Sequence, residues 1–135
     1  MTPVFKKLNL GSHQEIVVLN APASFEAEVS TLTIPHLHRQ LESLSQIHFV
    51  LAFVTQQNEV DALVKPIISR SHGDAIIWFA YPKSTSKKYK CDFNRDTGWA
   101  TLEAAGFETV RAIAIDEDWT GLRFRRREYI KARAR

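Results

Sequence analysis

The chain has 135 residues, 44% of them hydrophobic and 24% charged. That describes one globular domain over residues 1–135, able to remove roughly two thirds of its unfolded-chain surface from water, and it excludes a disordered or fibrous protein. The net charge of +3 conceals a split: from Gly121 onward seven basic residues stand against one acid, a charge of +6, which leaves −3 for the rest. A basic C-terminal tail from about residue 126 is therefore expected, rather than the basic body of a nucleic-acid-binding domain.

The first ten residues carry Lys6 and Lys7 with no apolar run behind them, so no secretory leader is expected. Residues 15–19, Glu-Ile-Val-Val-Leu, are a β-branched run that predicts the first strand. Asn20-Ala-Pro-Ala-Ser24 supplies N-cap residues and a proline suited to a first turn, which predicts a helix to about Leu32. Thr31 to Ile34 reads as a short strand before Pro35. From His36 to Gln46 the spacing of Leu37, Leu41 and Leu44 is helical over three turns only, and the segment stays ambiguous.

Residues 47–54 are nearly all apolar, as in a strand covered on both faces of a parallel sheet. Thr55 and Asn58 are candidate caps for the amphipathic helix that follows, in which Val60, Leu63, Val64, Ile67 and Ile68 share one face. Pro66 is expected to kink or shorten that helix and Gly73 to stop it. Residues 74–80 predict a second doubly buried strand. A lysine-rich loop over residues 81–92 leads to a helix capped by Asp92, Asn94 or Asp96 and ending at Gly106. Residues 110–115 predict a further strand. After the Asp116-Glu117-Asp118 turn, Trp119 to Arg125 alternate, which predicts a less covered strand returning antiparallel. The fold class is α/β: three layers, a mostly parallel sheet with helices on both faces, and an antiparallel C-terminal strand.

The apolar runs near residues 49–54 and 75–81 are too short to cross a bilayer. Cys91 is the single cysteine, which excludes an intrachain disulfide and fits a reducing, cytoplasmic setting. It lies beside Lys90, a neighbour that lowers thiol pKa values, but no histidine or aspartate is placed by the sequence to make it a nucleophile. His36 and His38 share a strand face without a third ligand, a poor metal site.

Three motifs, Trp-Phe-Ala-Tyr-Pro-Lys at 78–83, Arg-Asp-Thr-Gly-Trp at 95–99 and Ile-Asp-Glu-Asp-Trp-Thr-Gly-Leu-Arg-Phe at 115–124, together with Asn20-Ala-Pro22, resemble a bacterial family of small proteins of unknown function. The late order of helix, strand, helix, strand and returning antiparallel strand looks like the C-terminal half of the Rossmann-like S-adenosylmethionine-dependent methyltransferases. Those enzymes carry a glycine-rich turn after the first strand, where this chain has Asn20-Ala21-Pro22-Ala23, and no acidic residue for a ribose is evident at the end of a second strand. The resemblance implies their fold and not their activity; the cofactor, if any, is left unassigned.

Ligands of open α/β sheets bind beyond the C-terminal ends of the parallel strands. Those ends carry Asn20, Thr55, Tyr81 with Lys83, and Asp116 with Asp118, the candidate ligand-binding residues. Lys83 and the loop lysines precede a helix start and suit a phosphate or carboxylate; a solvated loop accounts for them equally. Asp116, Glu117 and Asp118 read either as acid–base groups or holders of a hard cation, or as an acidic turn paired to Arg123 or Arg111. Trp119 and Arg123, on one face of the last strand, are either a cation–π wall of a pocket or a structural clamp.

No catalytic residues or metal ligands are assigned, since no nucleophile or acid–base group with a partner can be named. The expected function is a non-enzymatic or degenerate Rossmann-like module for a small anionic ligand. The alternative is an interaction protein that holds a protein or polyanion with Trp119, Arg123 and the basic tail. Neither specific nucleic-acid binding nor membrane insertion is expected, and oligomeric state is not legible.

Overall fold

The computed structural model describes residues 2–42, 44–93 and 97–130. Six strands form one sheet in the order β2-β1-β3-β4-β6-β5. β1 (Glu15–Leu19), β2 (His36–His38), β3 (Ile47–Phe53) and β4 (Ser71–Pro82) are parallel to one another. β6 (Trp119–Arg126) runs antiparallel between β4 and β5 (Phe107–Ala114). Helices α1 (Pro3–Lys7) and α2 (Ala23–Val29) pack on one face; α3 (Gln57–Arg70) and α4 (Ala100–Ala104) pack on the other. Among the described residues, no helix is long and apolar enough to cross a membrane.

The strict alternation of strand side chains divides the core into two layers. Val17, Val50, Ile77, Phe79 and Phe124 meet Val60, Val64 and Ile67 of α3 and Leu102 of α4. Ile16, Val18, Phe49, Leu51 and Trp78 meet Val4 and Phe5 of α1 and Phe25 and Val29 of α2. The runs expected to be covered on both sides, within β3 and β4, are the sheet's centre. Every residue from Phe49 to Phe53 and from Ala75 to Tyr81 is buried.

Several expectations change. α1 is a helix that the sequence reading passed over. Pro3 starts it, and Val4, Phe5 and Leu8 are buried at helical spacing; Trp78 Nε1 donates to the Leu8 carbonyl at 2.8 Å. α2 ends at Val29, and Pro22 rather than a polar side chain stands at its N-cap. The short strand falls on residues 36–38 instead of 31–34. The helical spacing of Leu37, Leu41 and Leu44 is coincidental: Leu37 packs toward α1 and α2, whereas Leu41 and Leu44 pack on the α3 side. One helix face cannot do both.

α3 runs through Pro66 to Arg70. The missing N–H would have served the Ala62 carbonyl, which sits on the exposed side and can be solvated. Gly73 does not stop the helix. It lies inside β4 with φ +57°, in a bulge where the pairing jumps from Ile47↔Ser71 to Phe49↔Ile76. The cap of α3 is Gln56, not Thr55 or Asn58. α4 is a single turn with Trp99 at its N-cap, and Asp92 does not cap it; Asn94 and Asp96 lie outside the described residues.

β6, expected to be the less covered strand, is interior, and β5 is the edge, with residues 109–112 exposed. Gly121 makes this possible. A Cβ there would stand 3.3 Å from both Trp78 and Ile115, so the missing side chain lets β6 lie flat against its neighbours.

Candidate functional site

A cleft of about 950 Å³ opens at the C-terminal end of β4, within the size range of small-molecule pockets. Tyr81 and Pro82 of β4 and Thr120 of β6 form its floor; residues 83–86, 89–93 and Thr97 form its wall. Tyr81 and Thr120 are direct cross-strand partners, so the floor is rigid.

The wall is tied down at three points. Lys83 N donates to the Asp118 carbonyl at 2.8 Å. Ser86 Oγ donates to Asp118 Oδ1 at 2.9 Å and accepts from the Lys88 and Tyr89 amides. At the far end, Asp92 Oδ1 accepts from Gln57 N at 2.7 Å, and Gln57 Nε2 donates to the Gly98 carbonyl at 2.9 Å. Aromatic rings complete the seal on both sheet faces. Trp99 contacts Phe79, Tyr81, Phe93 and Phe124, with centroids 5.1–5.9 Å apart; Tyr89 lies 4.9 Å from Trp119 on the opposite face.

Gly98 is the tightest point of this wall. It has φ +101°, and an added Cβ would stand 2.8 Å from both the Phe93 ring and Gln57 Oε1. The Phe93 ring is backed by Trp99 and Tyr81 and cannot retreat. Gly98→Ala is expected to cost about 1–3 kcal/mol in urea unfolding, from strained backbone and ring displacement together. A cost within error of zero would show that the wall gives way freely.

Lys83 is half-buried and Lys90 exposed; both line the cleft beside the hydroxyls of Ser84, Thr85, Ser86, Thr97 and Thr120. The Cys91 thiol there is pushed up, chiefly by burial and further by the Asp92 and Glu59 carboxylates, against a hydrogen bond at Phe93. The lowering expected from Lys90 is not what its surroundings give.

The other sequence candidates are dispersed. Asp116 Oδ1 accepts from the Asp118 and Trp119 amides at 2.8 and 2.9 Å and closes the β5–β6 turn, while Asp118 anchors the loop. Thr55 N and Oγ1 donate to Glu59 Oε1. Asn20, with φ +58°, is exposed at the end of β1. Trp119 is buried, and Arg123, four residues along a strand or about 13 Å away, does not stack on it; the cation–π contact of this strand is Arg126 over Phe107. His38 pairs with Glu15 at 2.8 Å. Among the described residues no three acidic, histidine or cysteine side chains gather to hold a metal. Sequence reasoning pointed to Lys90 among the loop lysines but missed Ser84, Ser86 and Tyr89 as cleft residues, although the hydroxyl run just after Pro82-Lys83 was a usable signal.

This arrangement, a parallel sheet with β6 returning antiparallel inside it, is the Rossmann-like α/β fold of S-adenosylmethionine-dependent methyltransferases. A SAM-dependent methyltransferase from Aquifex aeolicus superposes with a TM-score of 0.60 at 12% identity, covering 90% of this chain and 87% of that one. A putative type 11 methyltransferase from Sulfolobus solfataricus gives 0.55 at 6% identity, covering 97% and 82%. A Haemonchus contortus phosphoethanolamine N-methyltransferase, in complex with phosphomonomethylethanolamine and S-adenosylhomocysteine, gives 0.54 at 11% identity, and this chain spans 37% of it. No protein-family model matches the chain, and no curated protein does.

The crevice where such folds take a ligand lies at the switch point of the sheet. Here it falls between β1, whose helix α2 lies on one face, and β3, whose helix α3 lies on the other. The residues there do not fit adenosylmethionine. The β1 turn has no glycine; Ala21 packs into the core and Pro22 starts the helix. Two amides at the start of α3 are already taken: Glu59 accepts from the N-cap Gln56 N and Asp92 from Gln57 N. A ligand anion would have to displace two carboxylates of the chain itself.

Proposed function

We propose that the chain is a non-enzymatic or degenerate Rossmann-like module that binds a small anionic ligand in the cleft at the ends of β4 and β6, away from the switch point. The observation that carries this reading is the cleft itself, with Lys83 and Lys90 among five hydroxyl side chains at the exit of a buried central strand. Two ammonium groups favour an anion. The hydroxyls of Ser84, Thr85 and Thr120 suit its remaining oxygens, Ser86 being engaged by Asp118 and the loop amides, and Tyr81, Tyr89 and Phe93 offer ring surface to an apolar part. The alternative, an interaction surface built on the basic segment, has less support, because Arg125, Arg126 and Arg127 are committed within the fold.

The test is a thermal-shift screen against nucleotides, adenosylmethionine and anionic metabolites. A ligand at a hundred times its Kd stabilises by about 2.7 kcal/mol, a readily measured shift. Lys83→Met should leave the melting temperature of the free protein nearly unchanged, since this side chain is partly solvated, and should remove the ligand-induced shift. Equal affinity of the variant and the parent in calorimetry would sink the reading.

A further inference from the structure

The arginines of β6 and of the turn behind it are not equivalent. Arg125 lies fork to fork on Asp74, at 2.8 and 2.5 Å. Arg126 donates to Ser71 and to the Gly73 carbonyl, and its guanidinium covers the Phe107 ring. Arg127 holds Glu108 at 2.7 Å and the Glu103 carbonyl at 2.9 Å. Arg123 is the exception. It makes no ion pair among the described residues, and its Nε is buried without a hydrogen-bond partner.

Register places Arg123 between Trp78 of β4 and Arg111 of β5. Gly121 and its register partner Ile113, two residues away on each strand, face the Trp78 ring, so both arginines stand on the α1 side of the sheet. Arg111 is exposed and likewise has no ion pair among the described residues. Two like charges directly opposite each other on neighbouring strands repel. Burial first, then Arg125 and Arg111, push the Arg123 guanidinium below its ordinary range; Asp74 acts the other way but is engaged by Arg125. Among the described residues no carboxylate pairs with either arginine.

We propose that Arg111 and Arg123 form a binding site for the dianionic phosphate of a phosphate monoester, on the α1-side face of β5 and β6. Two guanidinium forks match the double charge and tetrahedral oxygens of phosphate, where a carboxylate is matched by one fork, as Asp74 is by Arg125. Trp78, fully buried and held by the Leu8 carbonyl, gives Arg123 a fixed wall. The site is separate from the cleft. Arg123 lies three residues along β6 from Thr120, about 10 Å, and points to the opposite face.

The experiment is a calorimetric titration with inorganic phosphate, phenyl phosphate and acetate at matched ionic strength, backed by melting curves. The titrations use Lys83→Met protein, in which the cleft no longer contributes; there saturable one-to-one binding of both phosphates is expected, with acetate weaker. In that background Arg111→Gln and Arg123→Gln should each weaken phosphate binding roughly tenfold or more. In phosphate-free, low-salt buffer Arg111→Gln should raise the melting temperature, because it removes the repulsion; a merely structural arginine would lower it. Phosphate affinity unchanged in both glutamine variants, or no saturable binding at millimolar phosphate once the cleft is disabled by Lys83→Met, would each overturn the proposal. Binding of inorganic phosphate without phenyl phosphate would overturn the monoester assignment.

Discussion

Trp99→Ala is expected to lower unfolding free energy by about 3–5 kcal/mol, the range for removing a large buried aromatic side chain. Trp99 is buried and its ring meets four others: Phe79 and Tyr81 of β4, Phe124 of β6 and Phe93 of the cleft wall. α4 is a single turn that begins at this residue, so the element has little besides this ring and Leu102 to hold it to the sheet. The damage should extend beyond stability, because two of the four partners, Tyr81 and Phe93, line the cleft. Whatever ligand the screen identifies should bind Trp99→Ala more weakly even where the variant is fully folded. Trp99→Phe should lose less on both counts. Denaturant unfolding followed by far-UV circular dichroism decides the first point and calorimetry the second. A loss under 1 kcal/mol, well below the range for such a ring, would mean that the cleft wall does not depend on it.

The centre of the sheet was legible in the sequence because burial on both faces leaves its own mark: the unbroken apolar runs of β3 and β4 cannot be read as amphipathic. α3 was legible for the opposite reason, a clean stripe at helical spacing. What misled was local chemistry with a distant partner. Asp92 does accept a helix-start amide, but that of Gln57 in α3, thirty-five residues earlier in the chain, and not one of the helix that follows. Spacing within a loop carries no information about which amide will approach it.

Gly73 shows the same limit. It reads in the sequence as a helix stop; the bulge that uses its left-handed backbone is not legible, because a bulge is a property of two strands and the sequence shows one. The arginines of β6 suggested an exposed strand, whereas three of the four from Arg123 to Arg127 are satisfied by partners at Asp74, Ser71 and Glu108 that no periodicity could name. Of the candidate site, Tyr81 and Lys83 were found by the rule that ligands sit beyond strand C-termini. The rest of the wall comes from a loop whose path is set by Trp99 and Tyr89, each docking on a different sheet face.

The self-occupied start of α3 bears on how the fold is used. A helix N-terminus at the end of a central parallel strand is where a Rossmann-like sheet offers its strongest attraction for an anion. In this chain Glu59 and Asp92 stand there, and Asp92 at the same time fastens the end of the cleft wall. The feature that would draw a ligand to the switch point instead positions the wall of an opening between other strands.

Trp119 allows a sharp comparison between two substitutions. Its indole is buried, edge-on to Phe53 at 5.1 Å and against Tyr89 at 4.9 Å, and through Phe53 it joins a row that continues to Phe25 and Phe5. Trp119→Ala should therefore cost about 3–5 kcal/mol, a cavity at the junction of β3, β6 and the cleft wall. Trp119→Phe should cost much less than the lost volume suggests. The indole Nε1 is buried without a hydrogen-bond partner, and an unmet buried donor carries a desolvation penalty of about 1–3 kcal/mol, which phenylalanine does not incur. The gain from deleting the donor and the loss from the smaller ring act in opposite directions. Urea unfolding of the two variants separates a packing role from a recognition role. If the ring serves packing, the alanine variant is several kcal/mol below the phenylalanine variant, and ligand affinity in the phenylalanine variant matches the parent. If Trp119 instead serves a ligand through its N–H, the order reverses in what is damaged: the phenylalanine variant folds normally and fails to bind. Equal stability of the alanine and phenylalanine variants would contradict the packing assignment outright.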